Sequence, residues 1–170
     1  MFIVEDGTGL SDANSYVSLD WANSYFADRG NTSWSGALDA EKQVALVKAT
    51  DYIDASYDFP GEILVSSQAL KWPRANATDK YGETLEGIPV ILMKATAELA
   101  VRALSEELLQ DIEKQGYIKR ERVEGAVERE YGGDGVYPLK SYVYINRLLM
   151  GSGIAISKSG TLGQKRIIRC

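Results

Sequence analysis

Between Ile88 and Leu104 the chain offers almost only apolar and small side chains, broken by Lys94, Glu98 and Arg102 at intervals of four. At 3.6 residues per turn that spacing gathers these charges, with Glu106, into one narrow stripe of alternating sign. A helix with so thin a polar face must be covered on its other sides. The sequence therefore calls for a central helix. Gly87-Ile88-Pro89 opens it, Pro89 suiting the first helical position, and the pattern runs to about Lys114. Everything else has to be arranged around this element.

The first 17 residues hold Gly7, Gly9 and Asn14 among small polar side chains and read as an extended arm. Ser18 stands before Leu19-Asp20-Trp21 as an N-cap, with Asp20 favouring the helix dipole. Gly30 is a C-terminal stop, so a first helix is expected over 18–29. Leu19, Ala22 and Phe26 share a face, with Trp21 and Tyr25 beside it. Residues 31–36 read as a turn-rich link carrying Trp34. Asp39 caps a second helix to about Tyr57, with Leu46, Ala49, Ile53 and Tyr57 as its inward stripe. Asp51, Asp54 and Asp58 fall largely off that stripe and read as a solvated face. Phe59-Pro60-Gly61 ends the helix. Residues 60–87 then form a long irregular stretch, and a loop of that length usually carries function or an interaction surface.

After Gly116, Tyr117–Val123 and Ala126–Tyr131 flank Glu124-Gly125, which predicts a β-hairpin over 117–131. Its charges fall on both faces, so it needs packing or pairing from elsewhere. Pro138 opens a last helix to about Met150, with Tyr142, Ile145 and Leu149 inward. The expected fold is mainly α. A four-helix bundle-like domain over 18–150 carries a β-hairpin inserted between its third and fourth helices, with arms at 1–17 and 151–170.

Composition removes several classes of function. The chain has no histidine, which excludes histidine triads, histidine metal sites and histidine proton shuttles. Its one cysteine, Cys170, allows no internal disulfide and no CxxC motif. Gly7-Thr8-Gly9 lacks the Lys and Ser/Thr of a phosphate loop. The three aspartates of the second helix lack a cation-binding loop. We therefore expect no enzyme, no cofactor and no metal. No apolar run is long enough for a membrane span, and Met1–Asp6 does not read as a secretory signal. A protein made and used in the cytoplasm is expected. The net charge of −5 and pI of about 4.9 speak against a broad basic surface but leave room for a local one.

Two features invite an interaction role. In Trp72-Pro73-Arg74 the proline holds Trp72 extended. The indole either plugs the core or anchors a neighbouring subunit, Trp and Arg being favoured at interface hot spots. The tail places Lys158, Lys165, Arg166 and Arg169 around Ile167 and Ile168 with no acidic residue among them. It can grip phosphates, dock on an acidic partner or simply end the chain, and the paired isoleucines favour docking.

Taken in order, Asp12-Ala13-Asn14-Ser15-Tyr16-Val17-Ser18, Ala22-Asn23-Ser24-Tyr25-Phe26, Glu41–Asp54, Gln68–Arg74, Ile88-Pro89, Ala97-Glu98-Leu99-Ala100 and the 119–131 hairpin resemble a phage protein family over roughly residues 5–150. Its members are often labelled DnaT-like single-stranded-DNA-binding proteins, and their layout also resembles the head–tail connector (adaptor, neck) proteins of long-tailed phages. The connector resemblance implies a virion protein at the head–tail interface. It would form a ring, typically of twelve copies, bound to the portal protein and offering a platform to the next neck or tail-terminator protein. Genomic DNA would pass through its channel without specific binding. Charge favours that reading: twelve chains of −5 would carry roughly −60 and repel phosphates from a sliding channel. The interaction residues expected on it are Trp72 and Arg74 in the loop, Lys119, Arg120 and Arg122 in the hairpin, and Lys158, Lys165, Arg166, Ile167, Ile168 and Arg169 in the tail. The alternative is a single-stranded-DNA-binding protein of phage replication, losing affinity when Lys165, Arg166 and Arg169 become alanine.

Overall fold

The computed structural model describes residues 1–109, 118–123, 127–131 and 141–157. In chain order they form α1 (Leu19–Ala27), α2 (Thr32–Ser35), α3 (Asp39–Ser56), β1 (Tyr57–Asp58), β2 (Glu62–Ile63), β3 (Arg74–Ala75), α4 (Val90–Ala103), β4 (Ile118–Val123), β5 (Val127–Tyr131), α5 (Val143–Leu149) and β6 (Ile156–Ser157). The protein is mainly helical, with small two-stranded antiparallel sheets.

The central helix is α4. It packs against α3 on one side and α5 on another, burying Leu92, Ala95, Thr96, Ala97, Leu99 and Ala100. Four of the residues from Ala95 to Ala100 carry no more than a methyl or hydroxyl-bearing branch, which lets the helices approach closely. The buried threonines fit this dry contact by turning inward on their own helices. Thr96 donates to the Leu92 carbonyl at 2.9 Å and Thr50 to that of Leu46 at 3.0 Å. On α3 the expected stripe Leu46, Ala49 and Ile53 is buried, and it ends on buried Tyr57.

Several boundaries differ from expectation, each for a local reason. The central helix ends at Ala103, well before Lys114. The Arg102 carbonyl accepts from the backbone N–H of both Ser105 and Glu106, which closes a turn. Pro89 is the N-cap of α4, one position before the first helical residue. The link at 31–36 contains a helix, α2. Asn31 caps it by accepting from the Trp34 N–H at 3.0 Å, and the buried Trp34 indole donates to Asn23 at 2.8 Å. Leu38, not Asp39, is the N-cap of α3, and its N–H is taken by Glu41 at 2.9 Å. Pro138 lies outside the described residues, and α5 begins at Val143.

The first 17 residues are part of the body. Ala13, Tyr16 and Val17 are buried, and Val4 bridges Ser15 in parallel. The Glu5 carboxylate, 3% exposed, accepts from the backbone N–H groups of Gly7, Gly9 and Leu10 at 2.8–2.9 Å. This buried charge replaces the missing partners of a tight loop. At the other end β6 pairs with β1, Tyr57 opposite Ser157, and Ile154 and Ala155 are buried.

β4 and β5 pair antiparallel, with Val123 opposite Val127. Residues 124–126 lie outside the described set.

Candidate functional site

The 60–87 stretch is organised from within. Trp72 is fully buried, edge-on to Phe59 with ring centroids 5.8 Å apart. It fills the core and cannot anchor a second subunit. Arg74 is equally engaged: Nε donates to the Pro60 carbonyl, Nη1 to that of Lys71 and Nη2 to that of Gly61, at 2.7–3.2 Å. A guanidinium spread over three carbonyls staples the loop and has little left for a partner. Lys119, Arg120 and Arg122 lie on β4, whose side chains are outside the description. Lys158, Lys165, Arg166, Ile167, Ile168 and Arg169 lie outside the described residues altogether.

Behind the loop sits a buried polar knot. The Tyr16 hydroxyl donates to Asp54 Oδ1 at 2.6 Å and accepts from the Trp72 N–H at 3.2 Å, while Asp54 Oδ2 accepts from the Lys71 N–H at 3.0 Å. Asp54 is therefore no solvated helix charge. Burial raises its pKa, against the hydrogen bonds from Tyr16 and Lys71 that lower it. Burial, then the neighbouring Asp54 charge, pushes the Tyr16 phenol well up, so it stays a neutral donor. The knot ties the N-terminal segment, α3 and the loop together; it is structural and closed to ligands.

A second cluster of aromatic and basic side chains lies on α1, α4 and α5. Trp21 and Tyr25 on α1 and Arg29 just past its end stand four residues apart and form a ladder. The Trp21 indole stacks on the Tyr25 ring at 5.1 Å and 13°, and the Arg29 guanidinium covers that ring at 3.5 Å. Tyr25 is held by its hydroxyl, which donates to Glu98 on α4 at 3.0 Å. Burial raises the Tyr25 pKa to about 12, helped by the bond to Glu98 and by Tyr144 nearby on α5. Along α4, Lys94 and Arg102 flank Glu98 by one turn each. Arg102 lies 5.6 Å from the centroid of the Tyr142 ring, whose hydroxyl donates to Glu106 at 3.0 Å. Among the described residues Arg29, Lys94 and Arg102 form no ion pair, unlike Lys42, Lys48 and Lys71. Trp21 is half-buried, Tyr144 and Arg29 are exposed. The α1–α4–α5 face thus combines flat aromatic rings with three cations that form no ion pair among the described residues, two of which, Arg29 and Arg102, donate to the backbone carbonyls of Tyr25 and Glu98 at 2.8 and 2.6 Å.

The spacing of this ladder is visible in the sequence, where Trp21 and Tyr25 lie beside the core stripe of Leu19, Ala22 and Phe26. Only the fold shows that Arg29 returns onto Tyr25 and that α4 supplies Glu98. An apolar groove of about 610 Å³ lies between the start of α3 and the end of α4, lined by Ala37, Ala40, Val44, Ala45, Ala103 and Leu104 among others. Its charged walls are engaged: Glu41 accepts from the Leu38 N–H and Lys48 pairs with Glu107 at 2.7 Å. No cluster of acidic or cysteine side chains able to hold a metal ion occurs among the described residues, and no described helix is long and apolar enough to cross a membrane.

Residues 1–170, the whole chain, match a family described as "Putative DnaT-like ssDNA binding protein". No curated protein and no solved structure matches the chain. The family match overturns the connector reading. The head–tail connector role, the twelve-copy ring, the portal and tail-terminator partners and the passive passage of genomic DNA all fall with it, and the alternative stated beside them is the better supported. The charge argument failed because −5 is a sum over the whole chain. Local charge, not the total, decides what a surface attracts: among the described residues Arg29, Lys94 and Arg102 form no ion pair despite that sum, and Arg29 and Arg102 lie over the Tyr25 and Tyr142 rings. The chain belongs to the DnaT-like single-stranded-DNA-binding family.

Proposed function

We propose that this protein binds single-stranded DNA and performs no catalytic step. The match of the entire chain to the DnaT-like family carries the reading. The structure supplies suitable chemistry. Binding of single strands without base pairing combines cations for the backbone with aromatic faces for the exposed bases, and the α1–α4–α5 face offers both. The absence of histidine from the chain and the engaged charges of the apolar groove support a binding role over an enzymatic one. Within this reading, α3, α4 and α5 form a bundle-like body with the β4–β5 ribbon inserted beside it.

The test is fluorescence anisotropy of a labelled oligothymidylate titrated with the full chain, at several salt concentrations, against a duplex of similar length. We expect binding that weakens as salt rises and that is tighter for the single strand than for the duplex. Equal affinity for both forms, or no binding at low salt, defeats the proposal.

A further inference from the structure

We infer that the α1–α4–α5 face is where the strand lies, with a base stacked on Trp21 and the phosphates held by Arg29, Lys94 and Arg102. This inference rests on the single-strand reading and gives it a place. Three observations carry it. First, Trp21 is the half-buried tryptophan of the chain, whereas Trp34 and Trp72 are buried, at 1% and 0% exposed. Its indole N–H has no partner among the described residues, while that of Trp34 is held by Asn23. Second, the ring is braced from behind. Tyr25 stacks against it, Arg29 covers the Tyr25 ring at 3.5 Å, and Glu98 fixes the Tyr25 hydroxyl. A platform already ordered by such a stack gives up little rotamer freedom when a base arrives. Third, Arg29, Lys94 and Arg102 form no ion pair among the described residues, Arg29 and Arg102 each spending one N–H on a backbone carbonyl, and Tyr144 offers a second exposed ring on the neighbouring helix.

The ligand class follows from this chemistry. A flat π-face takes any base but needs it unstacked, so the site selects single strands over duplex with little preference for sequence. Glu98 and Glu106, the carboxylates nearest Lys94 and Arg102 along the chain, do not forbid it. Glu98 is occupied by Tyr25, and Glu106 accepts from Tyr142.

The placement gives the experiment a direct optical reading. Because Trp34 and Trp72 are sealed in the core, a change in tryptophan emission on adding unlabelled oligothymidylate reports on Trp21. We expect quenching that saturates together with anisotropy measured on the labelled strand. Trp21→Ala should weaken binding about tenfold or more, and Trp21→Phe, which keeps a ring, should recover much of that affinity while abolishing the emission change. Tyr144→Ala should weaken binding on a folded background, since its side chain is exposed. Tyr81→Ala, at an exposed tyrosine of the 76–87 loop, should bind as the parent does. Circular dichroism and melting temperature confirm that each variant is folded. If the strand binds by anisotropy while emission stays constant and the Trp21 and Tyr144 variants keep parental affinity, the placement is overturned and the single-strand reading stands. If no oligonucleotide binds, the reading itself fails and the placement with it.

Discussion

Replacing Tyr16 by phenylalanine removes one oxygen and tests whether the N-terminal segment belongs to the folded body. That hydroxyl serves two partners: it donates to Asp54 at 2.6 Å and accepts from the Trp72 N–H at 3.2 Å. Tyr16 is 1% exposed and Trp72 fully buried, so water cannot readily take its place. A hydrogen bond to a charged acceptor contributes roughly 1.5–3 kcal/mol, and a buried donor left without a partner costs roughly 1–3 kcal/mol. The two losses share one network and do not simply add, so we expect Tyr16→Phe to cost about 3 kcal/mol. With a urea slope of about 2 kcal/mol per M, the midpoint should fall by about 1.5 M. The assay is equilibrium urea unfolding of the parent, Tyr16→Phe, Asp54→Asn and the double variant. A coupling of about 1 kcal/mol or more between the two sites is expected for groups in direct contact. A midpoint shift below about 0.3 M, or strictly additive variants, would refute the claim that the knot fastens this segment to the core.

The same fold sets three further expectations. Trp72→Ala should lose about 3–5 kcal/mol in urea unfolding; Trp72→Phe should cost much less, because it also deletes a buried indole N–H that has no acceptor. Gly61→Ala should lower the melting temperature by several degrees, since Gly61 sits at φ +76° and an added methyl group would collide with the Ala75 carbonyl oxygen across the β2–β3 turn. Finally, Tyr16, Tyr25, Tyr57 and Tyr142 all have pKa values raised from 10.0, chiefly by burial. The folded state therefore holds protons that the unfolded state releases, and stability should be steady below pH 10 and fall as pH rises beyond it. Melting temperatures from pH 8 to pH 11.5 check this, and Tyr16→Phe should show the shallower decline.

The periodicity that exposed α4 also located α1 and α3, because a run of 9 to 18 residues leaves enough turns for a buried stripe to repeat. Short elements did not announce themselves. Four-residue α2 depends on one Asn31 cap and on Trp34 finding Asn23, and two-residue strands such as β1 and β6 exist only because distant segments meet. Asp54 illustrates the limit of reading polarity from a helical wheel. It lies off the apolar stripe, yet the loop from residue 68 to 74 folds over it and turns an expected surface charge into an internal acceptor. Trp72 had a core reading and an interface reading of nearly equal standing, and burial decided between them. For the candidate face, residue spacing held the Trp21–Tyr25–Arg29 ladder, but no local pattern could bring Glu98, Arg102 and Tyr144 beside it.

The β1–β6 clasp bears on the order in which the chain can fold as it leaves the ribosome. Tyr57 opposes Ser157 in the ladder, and its hydroxyl donates to Asn146. Helix α3 thus gains its last partners about a hundred residues after it is made. Loop-closure entropy for contacts that distant must be met before they reward the chain. Until residues 142–157 emerge, Tyr52 and Tyr57 at the end of α3 lack the Tyr142 ring and the β6 strand that meet them in the fold, a state open to capture by chaperones or by other nascent copies.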